Sequence, residues 1–441
     1  MTSGTGEAPR PASSLLSPAE AADQFLERLP RPSRLLVAFS GGGDSTGLLA
    51  ALAQAAAAHS GLCLHAATVD HGLRPGSAEE ARQAAQVCAR LGIPHAILTW
   101  QGDKPATGIQ ARARAARYRL LAEEALRIGA PVIVTGHTAD DQAETLAMRR
   151  LRDADAGEGM DEAVLVERRI WVLRPFLGVT RQAIRDYLAA RGLGWSEDPS
   201  NDNPAFERVR IRQSAEAGAG PGRGAGEPAP YAAAARFIRD HVTLHAGLVA
   251  SVDAARFDPA DAAHRLALMT LAAVLGGREH LPGRASADRV FTALATGAAT
   301  RITASRVVFD RRKDRLFLCR EARGLPDMAI PPGRSACWDG RVEIANAGAL
   351  PTRVVAGAGH AGLPSLLASG DDGALPRGVA RLASDTVPRL AAGEAGKIRL
   401  RMMLAPYEHF LPSRKLMLAD SLAAVFGLEQ FPALSLAAHA F

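Results

Sequence analysis

From Arg34 onward, short apolar runs alternate with longer stretches in which apolar residues recur every three or four positions. The runs are RLLVAF (34–39), LCLHAATV (62–69), HAILTW (95–100) and PVIVTG (131–136). Each is short and rich enough in β-branched or aromatic residues to form a buried strand. Helical spacing fills the intervals near 45–58, 77–91 and 109–128, with a further stretch at 139–151. Strands separated by crossover-length helices predict an α/β fold, a doubly wound parallel sheet with helices on both faces. The pattern holds to about Tyr187.

It breaks at SAEAGAGPGRGAGEPAP (214–230), which has little to bury and reads as a linker. Helical spacing returns from Tyr231 to about Thr300, in YAAAARFIRDHVTLHAGLV and AAHRLALMTLAAVLGG. RITASRVVFDRRKDRLFLCREAR (301–323) reads as a basic strand pair with charged turns. The expected division is a flexible N-terminal tail (1–32), the α/β domain (33–213), the linker (214–230), a mostly helical region ending in the strand pair (231–330), and a smaller α+β C-terminal region (331–441).

Composition narrows the class. At 441 residues, 47% hydrophobic and 22% charged, the chain has the material for more than one globular core. No apolar run approaches the ~18 residues of a membrane span. The first twenty residues lack a basic start and an apolar middle, so they read as a tail and not a signal peptide. Cys63, Cys88, Cys319 and Cys337 form no C-x-x-C pair, which argues against a zinc knuckle or disulfide framework and for a reducing cytoplasm. A net charge of +6, carried mostly by Arg, is equally compatible with a nucleic-acid partner and with a compositional preference for Arg.

The candidate chemistry starts where the first strand ends. Ser40-Gly41-Gly42-Gly43-Asp44-Ser45 lies between that strand and a helix. Amides at a helix start lack intrahelical partners, and glycines let the backbone approach an anion without Cβ clashes. Walker A needs a Lys that is missing, and Thr46 stands where the last Gly of G-x-G-x-x-G belongs. Asp44 inside an anion cradle makes sense if Mg²⁺ bridges it to phosphates. Asp70 ends the second strand, where an acid often meets a ribose, though a plain turn before Gly72 explains it too. Arg114, Arg117 and Tyr118 share a helix face, suited to charge building on an α-phosphate or simply solvated. His137 precedes a helix carrying Asp140, Asp141 and Glu144, spaced to face one site. Thr138 with Asp141 also suits a capping box, which leaves Glu144 unexplained.

SGGGDS resembles the pyrophosphate loop (PP-loop) of the N-type ATP pyrophosphatases. With it go VDHGLRPGSAEEA (69–81), ARARAARYRLL (111–121), TGHTADDQAETLAMRRL (135–151) and RPFLGVTRQAIRDYLAARGLGWSEDPSNDNPAFERVRIR (174–212). In this order, over about residues 33–213, they resemble the tRNA(Ile)-lysidine synthase family. ACWDGRVEI (336–344) is a fainter echo. The resemblance implies an ATP-dependent ligase with Mg²⁺ as cofactor. It implies as partners free L-lysine and a tRNA(Ile) whose CAU anticodon carries the target wobble cytidine. ATP would sit at Ser40–Ser45 and Asp70, with Asp44 on Mg²⁺ and Arg114 on the α-phosphate. Asp141 and Glu144 would serve the lysine, with His137, Asp140 and Arg117 lining the substrate site. The chain departs from the family pattern at Thr138, at Val209 and across 152–163. A 2-thiolation enzyme of the same fold and a tRNA-binding protein with a relic ATP site are the alternatives, and a homodimer is left open.

Overall fold

The central strand is β1 (Ser33–Ala38), in a computed structural model that describes residues 16–102, 104, 107–151, 159–196, 230–357, 375–392, 397–434 and 436. Chain contacts gather into two compact units, Met1–Gly226 with Ala433–Phe441, and Glu227–Pro432.

In the first unit β1 pairs in parallel with β2 (Leu62–Asp70) on one side and β4 (Val132–Val134) on the other. β3 (His95–Thr99) continues the sheet beyond β2. β6 (Ile170–Leu173) continues it beyond β4, and β5 (Ala163–Val166) runs antiparallel to β6. The order is therefore β5-β6-β4-β1-β2-β3, and the direction of winding reverses at β1 and β4. Ligands of open α/β sheets sit at such a reversal, beyond the carboxyl ends of the strands. The helices are α1 (Pro18–Glu27), α2 (Gly43–Ala56), α3 (Ser77–Arg90), α4 (Ile109–Ile128), α5 (Ala139–Leu151) and α6 (Arg181–Ala189). Leu35, Leu36 and Val37 of β1 and Leu48, Leu49 and Leu52 of α2 are fully buried. Each contributes on the order of 1.5–3 kcal/mol of apolar burial. Gly47 exists for close packing: a Cβ there would lie 2.4 Å from Ile184 Cγ2, so α6 sits directly against α2.

The α/β expectation holds strand by strand, with two corrections in the first unit. The expected tail contains α1, whose Ser17 cap and Glu20 form a reciprocal box and which buries Ala22, Phe25 and Leu26. α2 starts at Gly43, two residues before the predicted start, because Gly42 serves as its N-cap.

In the second unit, Val242-Thr-Leu-His and Val249-Ala-Ser-Val-Asp form β7 (Val242–His245) and β8 (Val249–Asp253), where the periodicity predicts helix. The helix Tyr231–His241 stops at β-branched Val242 and Thr243. Ala246 and Gly247, with φ of 51° and 66°, then close a tight hairpin. β9 (Thr300–Ala304), β10 (Val307–Arg311) and β11 (Arg315–Arg320) complete an antiparallel sheet in the order β7-β8-β11-β10-β9. The expected strand pair is thus part of a larger sheet. Two further three-stranded antiparallel sheets enclose Ile330, Trp338, Ile344 and Val354.

Candidate active site

The turn after β1 is shaped from within. Gly41 takes φ +82°, which an L side chain rarely adopts. Ser45 Oγ donates to Gly42 O at 3.0 Å and lies 3.1 Å from Ser40 Oγ. The Ser45 hydroxyl therefore gives its proton to the turn itself. No side chain caps α2 at Gly42, so the amides of Gly43, Asp44 and Ser45 have no helical acceptor. Trp195 lies alongside: a Cβ on Gly43 would stand 3.4 Å from its ring, and Ser196 N–H donates to Gly41 O at 2.9 Å. The rest of the EDPSN stretch, Val209–Arg212 and residues 152–158 lie outside the described residues.

β4 brings α5 against this turn. At Gly136 an added Cβ would be 2.9 Å from Asp44 O and 3.2 Å from Ser45 N, so the two backbones touch. Thr138 and Asp141 form the expected box. Thr138 N–H donates to Asp141 Oδ2 at 2.8 Å, and Asp141 N–H to Thr138 Oγ1 at 3.3 Å. Asp141 and Glu144 are buried at 8% and 4% exposure.

The acids converge on a residue that sequence reasoning did not single out. Arg181 Nη1 donates to Glu144 Oε1 at 2.7 Å and Nη2 to Asp141 Oδ1 at 2.5 Å. Its Nε lies 3.4 Å from Asp44 Oδ2. Arg181 N–H also donates to Asp140 Oδ2 at 2.9 Å. Asp140 thus holds the start of α6, where the spacing suggested a substrate-facing acid. Burial is the largest influence on Asp44 and pushes its carboxyl up; Arg181 opposes this, and Asp141 and Asp140 add to it. Burial works against the Arg181 charge, but the Glu144 bond and the charges of Asp141, Glu144 and Asp44 outweigh it and hold the group above its ordinary value. The only sequence signal for Arg181 is its place after the helix-capping Thr180 in a stretch rich in other arginines.

The remaining candidates lie around the turn in a second group. Asp70 Oδ1 accepts from Gly72 N–H at 2.9 Å, which is the simple turn role. Arg117 reaches His71 Nε2 at 3.4 Å, placing α4 beside the end of β2. The Arg114 guanidinium stands 5.1 Å from the Tyr118 ring. Tyr118 in turn bonds Arg174, a buried arginine just past β6 whose charge is disfavoured chiefly by burial. His137 Nδ1 lies 2.9 Å from Thr135 Oγ1. Asp44, Asp140, Asp141 and Glu144 are therefore one cluster on Arg181, whereas Arg114 and Arg117 belong to the α4 side.

The arrangement offers amide donors for an anion, fixed carboxylates for a cation and arginines beside both. Among the described residues, no three His, Cys, Asp or Glu side chains converge closely enough to cage a metal by themselves. A single carboxylate with phosphate oxygens is instead the usual way to hold Mg²⁺. Asp44 suits it, since the only hydrogen bond of its carboxylate among the described residues is the long one to Arg181. No described helix is long and apolar enough to cross a membrane.

The family profile of the PP-loop domain matches residues 16–216. The chain is 44% identical over 439 residues to a tRNA(Ile)-lysidine synthase of Rhizobium meliloti (strain 1021), covering 94% of this chain and 96% of that protein. It is 40% identical over 437 residues to a tRNA(Ile)-lysidine synthase of Mesorhizobium japonicum, covering 92% and 94%. A solved U34-tRNA thiolase of Methanococcus maripaludis aligns over 45% of this chain and 71% of that one, at 15% identity and a TM-score of 0.39.

Proposed function

The chain belongs to the tRNA(Ile)-lysidine synthase family, and from that premise we propose how its residues divide the work. It is an ATP-using enzyme that forms lysidine on tRNA(Ile). The amides of Gly43, Asp44 and Ser45, with Ser40, take the two outer phosphates of ATP. The α-phosphorus is left open to O2 of the wobble cytidine of a CAU anticodon. That attack breaks the bond to pyrophosphate and leaves an adenylated base. The ε-amine of free L-lysine then attacks C2, and AMP departs with the oxygen.

Asp44 is the residue that would hold Mg²⁺, which when bound offsets charge on the outer phosphates. Arg114 approaches from α4 and counters charge at the α-phosphate, and Arg117 lines the substrate site. Asp141 and Glu144 receive the lysine ammonium and take its proton before attack. His137, next to them on the β4–α5 loop, borders the same space, and Asp140 acts through Arg181. Asp70 shapes the turn that borders the ribose. Residues 33–213 form the catalytic domain; residues 214–229 of the expected linker lie outside the described residues. Residues 231–330 and 331–441 hold tRNA, with exposed Arg301, Arg312, Lys313 and Arg315 available for phosphates. Arg320 is not, because it is fully buried against Asp339. Four free thiols suit a cytoplasmic location.

One observation carries the division of roles: carboxylates from the β1 turn and from α5 meet in a single cluster at the carboxyl ends of β1 and β4. A 2-thiolation reaction is not favoured. Cys63 and Cys88 of the first unit are free thiols, and burial pushes Cys88 up to about 12. The test measures pyrophosphate and AMP release with ATP, L-lysine and CAU tRNA. Glu144→Ala should stop lysine-dependent AMP release while ATP still binds. Unchanged lysine incorporation would remove Glu144 from the reaction.

A further inference from the structure

We infer that Arg181 is a positioning residue for the lysine-accepting half of the reaction: it fixes Asp141 and Glu144 in the geometry that reads the incoming ammonium. The inference rests on the proposed role of those two acids.

The bond lengths are unequal in an informative way. Arg181 gives its two terminal nitrogens to α5, at 2.5 Å to Asp141 and 2.7 Å to Glu144. Only the inner Nε faces the phosphate turn, at 3.4 Å from Asp44. Charge-assisted hydrogen bonds are strong near 2.7–2.9 Å and weaken with length, so the guanidinium belongs energetically to the α5 pair. Asp141 is thereby held on both oxygens, Oδ1 by Arg181 and Oδ2 by Thr138. Glu144, one turn further along α5 and 4% exposed, has its Oε1 set by Arg181.

The arginine is itself immobilised. It is the first residue of α6, whose Thr180 cap accepts from Ala183 N–H at 3.2 Å. Its own N–H is tied to Asp140, and α6 is pressed onto α2 at Gly47. A planar fork held at its base aims two donors at two carboxylates in a way that a flexible ammonium does not reproduce. A carboxylate pair that must bind one ammonium and then take its proton needs this fixed aim, because binding of a small ligand by charge is sensitive to geometry at the 1 Å level.

The experiment uses the full chain with CAU tRNA. Lysine KM and kcat are measured in lysidine formation, ATP KM in lysine-free pyrophosphate release, and lysine affinity by calorimetry. Arg181→Met should raise lysine KM at least about tenfold, the loss expected of one charge-assisted anchor. ATP KM should stay within about threefold, since the Asp44 contact is long. Arg181→Lys should recover only part of the lysine affinity. If Arg181→Met does not fold, Arg181→Lys must still raise lysine KM by about threefold. A wild-type lysine KM in the folded variant, or an ATP KM rising as far as the lysine KM, overturns the inference. Glu144→Gln, run in parallel, separates the two layers. If it leaves lysine KM unchanged, the acid-pair reading fails and takes the inference with it. If it raises lysine KM while Arg181→Met does not, the inference alone fails.

Discussion

Gly136→Ala should loosen ATP binding without removing any group that contacts ATP. Gly136 sits at the end of β4, outside the left-handed region, so alanine fits its backbone without strain. The obstacle is steric. The new methyl would lie 2.9 Å from Asp44 O, 3.0 Å from Asp44 C and 3.2 Å from Ser45 N. Ordinary contact begins at 3.4 Å, so the shortest approach must open by about 0.5 Å. No rotamer can relieve it, because all three atoms are backbone of the first turn of α2. Overpacking of this kind costs about 1–3 kcal/mol. Where the turn yields, the same cost weakens phosphate binding, by about 5- to 150-fold in ATP KM. The assay is lysine-free pyrophosphate release at varied ATP, with thermal melting alongside. Gly194→Ala is the control, since a Cβ there meets nothing within 4 Å. An ATP KM within about twofold of the parent, at unchanged melting temperature, would refute the claim that β4 braces the phosphate turn.

In the second unit, Asp339→Asn should destabilise the fold by about 3–5 kcal/mol in denaturant unfolding, because it strands buried guanidinium groups. Asp339 accepts from Arg320 Nη2 at 2.9 Å and Arg341 Nε at 2.7 Å, and its φ of 56° suits Asn as well as Asp. A loss below about 1 kcal/mol would mean the arginines find other partners. His71 gives a pH prediction. Burial chiefly, then Arg117, depresses its imidazole to about 4. The unfolded chain, at about 6.5, therefore binds more protons between pH 6.5 and 4, and stability falls as pH drops through that window. The ring is only half-buried, so solvent screening reduces the effect to about 1 kcal/mol. The first-unit melting difference between the parent and His71→Gln should vanish as the window is crossed. An NMR titration of His71 centred near its ordinary value would sink this.

What could be read from the chain and what could not divides along a physical line. β1 to β4 and α2 to α5 were legible because their period is local: each strand and helix carries its own burial pattern. The shape of the glycine turn after β1 was legible for the same reason, since Gly41 and the absence of a capping side chain at Gly42 are properties of consecutive residues. The hairpin at Ala246-Gly247 was missed because the apolar spacing of the helix before it continues into strand residues, and only β-branching at Val242 and Thr243 argues otherwise. Asp140 and Asp141 looked equivalent at adjacent positions. Yet one faces the start of α6 and the other the Arg181 side chain, a distinction made by a helix forty residues away. Arg181 itself stood among many arginines, with nothing nearby in sequence to mark it. Spacing along α5 could say that three acids share a region; it could not say which cation orders them. That missing cation changes the reading of the site. Without it, Asp141 and Glu144 are two acids waiting for a ligand. With it, they are aimed groups already anchored on one side, and under the proposed function the lysine ammonium completes an arrangement that Arg181 begins.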